Sequence, residues 1–112
     1  MIQTDIDQLQ AEAVQRLVQE FQPEQIILFG SRAWGKPYAE SDLDFLVIVS
    51  SSNEKPIERA IRATHSLHNI PVSIDVLVKT RAEVERMRPV YASLESEILE
   101  RGKVVYKSSS ST

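Results

Sequence analysis

The chain has 112 residues, a formal net charge of −3 at pH 7 and no cysteine. This length supplies one domain with a single core and no second, substrate-reading domain, so a large substrate would have to be held by a partner protein. The acidic balance argues against stable nucleic-acid binding through a broad basic surface, and the lack of cysteine excludes disulfides and thiolate metal sites.

The first segment, residues 4–21, has the apolar spacing of an amphipathic helix. Thr4 and Asp7 form a capping pair at its start, and Pro23 ends the segment. No window of the chain approaches the roughly 18 apolar residues of a membrane-spanning helix, and the N-terminus has no apolar leader. We therefore expect a cytoplasmic protein without membrane contact.

Apolar runs predict three strands, over residues 25–29, 43–49 and 72–78. Between the second and third strands, Asn53 is the predicted N-cap of a helix that has Pro56 in its first turn. The apolar spacing of this helix predicts a buried stripe, which consists of Ile57, Ala60, Ile61, Thr64 and Leu67.

Two short helices are predicted after the third strand. Thr80 and Glu83 form a capping box for the first helix, and Pro89 interrupts it. The second helix is predicted over residues 90–101 and ends at Gly102. Its inward-facing apolar residues are Leu94 and Ile98.

The chain ends in a predicted short strand over residues 103–106. Residues 1–107 are predicted to form one domain without repeats or an internal linker. Residues 108–112 are a serine-rich, low-complexity tail that we expect to be disordered.

The segment between the first and second strands contains the strongest chemical pattern. Gly30 and Ser31 follow the first strand directly, and Asp42 and Asp44 open the second. Side chains alternate along a strand, so Asp42 and Asp44 point to the same face. Asp75 adds a carboxylate within the third apolar strand. If the second and third strands are neighbours, the three carboxylates meet at one place.

Three converging carboxylates predict a divalent-cation site. Oxygen-only ligands suit Mg²⁺ or Mn²⁺ rather than Zn²⁺, and a pair of such ions stabilises the attacking and leaving oxygens of a phosphoryl displacement. Gly30 lets the backbone approach a phosphate closely, Ser31 offers an amide and a hydroxyl, and Arg32 offers a planar donor near the start of a short helix.

Each of these features has an ordinary structural explanation when it is taken alone. An Asp-x-Asp pair often marks a solvated strand end, and a Gly-Ser pair is often a simple turn. Asp75 alone could be an edge-strand charge that discourages aggregation. Their joint occurrence in this order favours the metal site.

The aromatic residues Trp34 and Tyr38 and the two histidines predict no additional binding site. Trp34 could stack on a nucleotide base or contact a partner, but core packing is the favoured interpretation, and Tyr38 is interpreted as a loop aromatic. His65 and His68 lie three residues apart on a helix without a third nitrogen or sulfur ligand nearby. We therefore expect a solvated helix face there.

A basic cluster follows the third strand. Its three arginines alternate with glutamates, a pattern typical of a salt-bridged surface rather than a binding patch. The cluster consists of Arg81, Arg86 and Arg88 with Glu83 and Glu85.

The order of Gly-Ser, an intervening segment, Asp-apolar-Asp-apolar and a later carboxylate resembles the nucleotidyltransferase superfamily that includes the palm of DNA polymerase β. The residues Gly30-Ser31-Arg32-Ala33 and Ser41-Asp42-Leu43-Asp44 are similar to those of minimal nucleotidyltransferases, the MNT-domain antitoxins encoded beside HEPN-domain ribonuclease toxins. The resemblance extends over residues 25–106. It implies an α+β fold in which helices flank a small mixed β-sheet.

The resemblance also implies a Mg²⁺-dependent enzyme that transfers AMP from ATP to a hydroxyl, such as a tyrosine, of a HEPN toxin and so acts as its antitoxin. Nucleotide binding is implied for Gly30, Ser31, Arg32 and Ser41, the first two at the β and γ phosphates. Catalysis and metal binding are implied for Asp42, Asp44 and Asp75. The first two aspartates would ligate two Mg²⁺ ions, with Mn²⁺ as a substitute, and the third would ligate one ion and accept the hydroxyl proton.

Two other functions remain open on the residues alone. The same fold could neutralise the toxin by binding it, with a vestigial metal site. It could also adenylylate a small molecule, as aminoglycoside-modifying relatives do, although those enzymes use additional domain mass to hold the drug.

Overall fold

The computed structural model of the protein describes residues 6–30 and 43–109. The helices in these ranges are α1 (Ile6–Phe21), α2 (Pro56–Ser66), α3 (Arg81–Met87) and α4 (Leu94–Arg101). The strands are β1 (Gln25–Phe29), β2 (Leu43–Val49), β3 (Ile74–Thr80) and β4 (Lys103–Lys107). None of the helices within the described ranges is long and apolar enough to cross a membrane.

The described strands form one mixed sheet in the order β3-β2-β1-β4. β1 pairs antiparallel with both β2 and β4, whereas β2 pairs parallel with β3. A parallel pair needs a long crossover connection, and α2 supplies it. The α+β fold with a small mixed sheet flanked by helices is confirmed.

The central strand β2 is buried on both faces. Alternate residues Leu43, Phe45, Val47 and Val49 lie in a core with residues of α1 and α2. On the other face, Leu46 and Ile48 pack in a second core with residues of β1, α3 and α4. Such burial on both sides explains why the strand reads as a nearly continuous apolar run.

The predicted buried stripe of α2 is right for Leu67 but wrong for Ile57, Ile61 and Thr64. Ile57 is 63% exposed and Ile61 is 49% exposed, whereas Arg59, Ala63 and Leu67 face the interior. The helix is rotated because the Arg59 guanidinium has buried partners, and the local apolar pattern does not contain that information. Thr64 is exposed as well.

The start of α2 also differs from the prediction. The N-cap is Lys55 rather than Asn53, and Pro56 occupies the first helical position. The side chain of Glu58 accepts a hydrogen bond from the Lys55 backbone N–H at 2.8 Å. A proline at the first position and a reciprocal carboxylate therefore fix the helix start two residues later than predicted.

The third strand and the last helix begin later than the sequence predicts. β3 spans Ile74–Thr80 instead of residues 72–78. α4 begins at Leu94 because Ser93 caps it, its Oγ accepting from the Ser96 N–H at 3.1 Å. Ile98 is fully buried as predicted, but Leu94 is 48% exposed, so its predicted inward position is wrong.

The helix starts and stops around α3 and α4 are mostly those predicted. Thr80 and Glu83 form the capping box of α3, and Gly102 is the C-cap of α4. Beyond β4, the Ser108 N–H donates to the Glu24 backbone oxygen at 2.9 Å. The predicted capping residue Thr4 lies outside the described residues.

Candidate active site

The candidate site lies at one end of the sheet, where β1 ends and β2 and β3 begin. The antiparallel β1–β2 pairing sets Phe29 opposite Asp44, so the end of β1 lies beside the start of β2. The parallel β2–β3 pairing sets Leu43 opposite Ile74, so these two strands start at the same level. The topology alone therefore gathers the three strand ends that carry the chemical pattern.

Asp44 and Asp75 are direct neighbours across the parallel pair. Adjacent strands lie about 4.8 Å apart, and paired residues share a face of the sheet. Like charges directly opposite each other on adjacent strands repel and are destabilising. A bound cation removes this repulsion, so the juxtaposition is typical of a cation site.

The sheet face that carries the two carboxylates is acidic where β2 and β3 begin and apolar further along the strands. Two residues further along the strands, Leu46 and Leu77 belong to the core beneath α3 and α4. Asp44 is half-buried and Asp75 is exposed. The carboxylates thus lie at the edge of the covered face, open to a ligand from solution.

Gly30 closes the site from the β1 side. Its φ is +81°, a left-handed conformation that favours glycine. A Cβ atom built on Gly30 would lie 2.3 Å from Oδ2 of Asp44. The backbone at the end of β1 therefore approaches the Asp44 carboxylate closely.

Four of the predicted site residues lie outside the described residues, together with the two aromatic residues of the same segment. The site residues are Ser31, Arg32, Ser41 and Asp42, and the aromatics are Trp34 and Tyr38. Within the described ranges no group of three or more potential metal-ligating side chains is present. Of the predicted site, the structure brings together Gly30, Asp44 and Asp75.

The chemistry of the described residues fits a hard divalent cation. Asp44 and Asp75 offer oxygen atoms only, which is the ligand type that Mg²⁺ and Mn²⁺ prefer. Gly30 can approach closely because it has no side chain, and the space where a Cβ would lie is taken by the Asp44 carboxylate. Asp42, the third predicted carboxylate, is outside the described residues.

The basic cluster after β3 is a salt-bridged surface, as predicted. Arg81 contacts Glu24 at 2.9 Å and Glu85 at 3.3 Å, and Arg88 contacts Glu85 at 3.3 Å. Hydrogen bonds from Ser50 and Arg81 lower the pKa of Glu24. These contacts pair Arg81 and Arg88 with glutamates, one of which, Glu24, lies outside the cluster.

An ion pair between the buried Arg59 of α2 and the partly exposed Glu83 of α3 was not evident from the sequence. Arg59 is 4% exposed, and it donates to Glu83 at 2.9 and 3.0 Å and to the Val78 backbone oxygen at 2.8 Å. The hydrogen bonds from Arg59 lower the pKa of Glu83 to about 2. Glu83 was identifiable as a capping residue, but nothing local marks Arg59 as buried.

The other predicted polar feature is the pair of His65 and His68. His65 and His68 are both exposed as predicted, but only His65 lies on α2, and His68 lies in the turn that follows it. Arg16 from α1 donates to the His68 backbone oxygen at 2.6 Å. This hydrogen bond connects the turn after α2 to α1.

Comparisons with known proteins agree with this geometry. The family described as polymerase beta, nucleotidyltransferase matches residues 12–111. A crystal structure from Sulfolobus solfataricus, of a protein described as a candidate nucleotidyltransferase, superposes with a TM-score of 0.66 at 20% sequence identity. The match covers 93% of this chain and 82% of the other. The comparison with curated proteins finds no match.

Proposed function

Because the chain belongs to the polymerase beta nucleotidyltransferase family, we propose that it transfers AMP from ATP to a protein hydroxyl. The proposed acceptor is a tyrosine of a HEPN-domain ribonuclease, which the modification would silence. The chain would then act as the antitoxin of a paired toxin. The finer part of this proposal rests on the resemblance of the Gly30-Ser31 and Asp42-Leu43-Asp44 segments to minimal nucleotidyltransferases.

The observation that carries the proposal is the pairing of Asp44 with Asp75 beside the end of β1. In the sequence, the rest of β2 and the helix α2 separate these two carboxylates. The parallel register of β2 and β3 nevertheless makes them neighbours. A purely structural strand end has no need of two adjacent like charges, because they oppose folding. A nucleotidyl transfer site needs them.

Each residue has a defined task in this proposal. Asp42, Asp44 and Asp75 would hold Mg²⁺, which would neutralise charge on the phosphates when bound. Gly30 and Ser31 would hold the β and γ phosphates through backbone and hydroxyl donors, with Arg32 and Ser41 completing nucleotide binding. Asp75, exposed at the start of β3, is the carboxylate that an acceptor hydroxyl can reach.

The reaction itself is a substitution at the α-phosphorus. The acceptor oxygen forms a bond to the α-phosphorus while the bond to the bridging oxygen breaks, and pyrophosphate leaves. Asp75 would accept the proton of the hydroxyl. A general base of this type contributes about 10²–10⁴-fold to a rate.

The acceptor would be presented by the partner protein. The exposed position of Asp75 means that the described part of the chain does not enclose the site on that side. A folded partner can therefore bring a tyrosine to it.

The proposal is tested with ATP labelled either at the α-phosphate or at the γ-phosphate. The protein is incubated with Mg²⁺ and the HEPN product of the neighbouring gene, and label on the partner is measured. Transfer of AMP predicts label from α-labelled ATP only. Label from γ-labelled ATP would indicate phosphorylation instead and would contradict the proposal.

Matched variants complete this experiment. Asp44→Asn and Asp75→Asn should abolish both label transfer and neutralisation of ribonuclease activity. Glu100→Gln removes an exposed carboxylate on α4 and should leave both unchanged. If neutralisation survives in the aspartate variants and the wild type transfers no label either, the protein neutralises by binding and the enzymatic proposal is wrong.

A further inference from the structure

The end of β1 and the start of β2 are in unusually close contact at Gly30. A Cβ atom at this position would lie 2.3 Å from Oδ2, 3.2 Å from Cγ and 3.5 Å from Cβ of Asp44. Carbon–oxygen contacts of 2.3 Å are far inside the optimal separation of non-bonded atoms. The space beside Gly30 therefore belongs to the Asp44 carboxylate.

We infer that Gly30 is a positioning residue for the Asp44 carboxylate, in addition to its proposed role in phosphate binding. The absence of a side chain at Gly30 is what allows the carboxylate to lie at the end of β1, beside Asp75. This inference rests on the proposed function only in assigning Asp44 to metal binding. The steric relation itself depends on the fold alone.

The crowding falls on the functional end of the Asp44 side chain. The nearest atom to the added carbon is the carboxylate oxygen, and no backbone atom is among the three nearest. Asp44 can relieve the contact by rotating about its side-chain bonds. Alanine at position 30 is therefore expected to displace the carboxylate rather than to break the sheet.

Backbone strain at Gly30 is a separate effect. Its φ of +81° disfavours any residue with a Cβ, whatever the neighbouring atoms are. An experiment must therefore distinguish this strain from the contact with Asp44. Removing the carboxylate relieves the contact and leaves the strain.

Gly102 provides a control for crowding alone, because its φ of −76° carries no left-handed strain. A Cβ there would also be crowded, at 2.5 Å from Cγ2 of Ile27 and 2.6 Å from the backbone oxygen of Ile98. None of its three nearest atoms belongs to Asp44. Gly102→Ala should therefore destabilise the protein without acting on the carboxylate pair.

The first measurement is the affinity for Mn²⁺ in the absence of nucleotide. The electron paramagnetic resonance signal of the free ion reports how much Mn²⁺ remains unbound. Residues that orient metal ligands typically change metal affinity 10–100-fold when they are substituted. Gly30→Ala is expected to weaken Mn²⁺ binding by that factor. Gly102→Ala is expected to bind Mn²⁺ as the wild type does at temperatures where it is folded.

The second measurement is a double-mutant cycle in thermal unfolding, without metal. Gly30→Ala is introduced into the wild type and into Asp44→Ala, and the shifts in midpoint are compared. The shift should be clearly smaller in the Asp44→Ala background, because the carboxylate that the new Cβ meets is absent. Gly102→Ala should give the same shift in both backgrounds.

Two outcomes would overturn the inference. Equal midpoint shifts of Gly30→Ala in both backgrounds would show that backbone strain alone makes glycine necessary, as would failure to fold in both. Unchanged Mn²⁺ affinity in a folded Gly30→Ala protein would show that the carboxylate keeps its position. Neither measurement involves AMP transfer, so a failure of the proposed function would leave both interpretable.

Discussion

Asp75 lies among apolar residues in β3 and yet is exposed at the start of the strand. Its strand neighbours Ile74 and Val76 pack against the core beneath α1 and α2, while Asp75 points to the opposite face. An exposed carboxylate beside Asp44 does not stabilise the fold, because like charges on adjacent strands repel each other. Its chemical role is therefore separable from the stability of the fold.

We predict that Asp75→Asn lowers AMP transfer by about 100-fold or more, since the amide neither carries the charge nor accepts the proton. The free energy of unfolding should change by less than about 0.5 kcal/mol, because the side chain is exposed. Label transfer and thermal unfolding measure the two quantities. Wild-type transfer rates in the variant would exclude Asp75 from the site.

At the scale of elements, the orientation of α2 depends on charged residues rather than on its isoleucines. Arg59 is buried against Glu83 and Val78, and Arg62 lies over the Phe21 ring at 4.5 Å from its centroid. These contacts connect α2 to α3, β3 and α1. The isoleucines are left on the outer face of the helix.

We expect the double substitution Ile57→Ser and Ile61→Ser to change the free energy of unfolding by less than about 1 kcal/mol, because both side chains are largely exposed. Leu67→Ala, at a buried position after α2, should destabilise by about 2–3 kcal/mol. Urea unfolding compares the variants. A larger effect of the isoleucine pair than of Leu67 would contradict the orientation of α2.

The Arg59–Glu83 pair also makes stability depend on pH. The pKa of Glu83 falls from its ordinary value of 4.5 to about 2 in the folded protein. The folded state therefore binds this proton less readily than the unfolded state does. The stabilisation is present in full above pH 4.5 and is lost as the pH falls towards 2.

Glu83→Gln should flatten the decrease in thermal midpoint between pH 4.5 and 2, and Glu100→Gln should not. At neutral pH, Glu83→Gln should destabilise by about 2 kcal/mol, below the value for a fully buried pair because Glu83 is partly exposed. Circular dichroism melts over this pH range measure both effects. An unchanged pH dependence would mean that another carboxyl group dominates acid unfolding.

At the scale of the whole molecule, β2 holds the two cores together and also positions Asp44. Phe45 and Leu46 are both fully buried, one on each face of the strand. The site thus lies at the start of the most buried strand, so its carboxylate is fixed by packing on both sides. Rigid strands hold functional groups in position more accurately than loops do.

Phe45→Ala and Leu46→Ala should each destabilise the protein by about 3–4 kcal/mol, because each opens a cavity in one core. Leu94→Ala, at a 48% exposed position, should have less than about 1 kcal/mol of effect. Chemical denaturation gives all three values. A mild effect of either β2 substitution would show that one face of the sheet is not tightly packed.

The local pattern of the sequence determined which segments form strands and helices, and which faces of β2 and β3 carry carboxylates. Alternation along a strand is a local property, so Asp44 and Leu46 could be assigned to one face without the fold. The capping box at Thr80 and the helix stop at Gly102 follow from local chemistry in the same way.

Only the tertiary structure decided which strands are neighbours and in what register. The pairing of Asp44 with Asp75, the inward rotation of Arg59 and the close approach of Gly30 to Asp44 each join residues far apart in the chain. Such contacts depend on how apolar faces and buried charges are satisfied together, which no local periodicity encodes. Two aspartates on separate strands thereby become one candidate metal site.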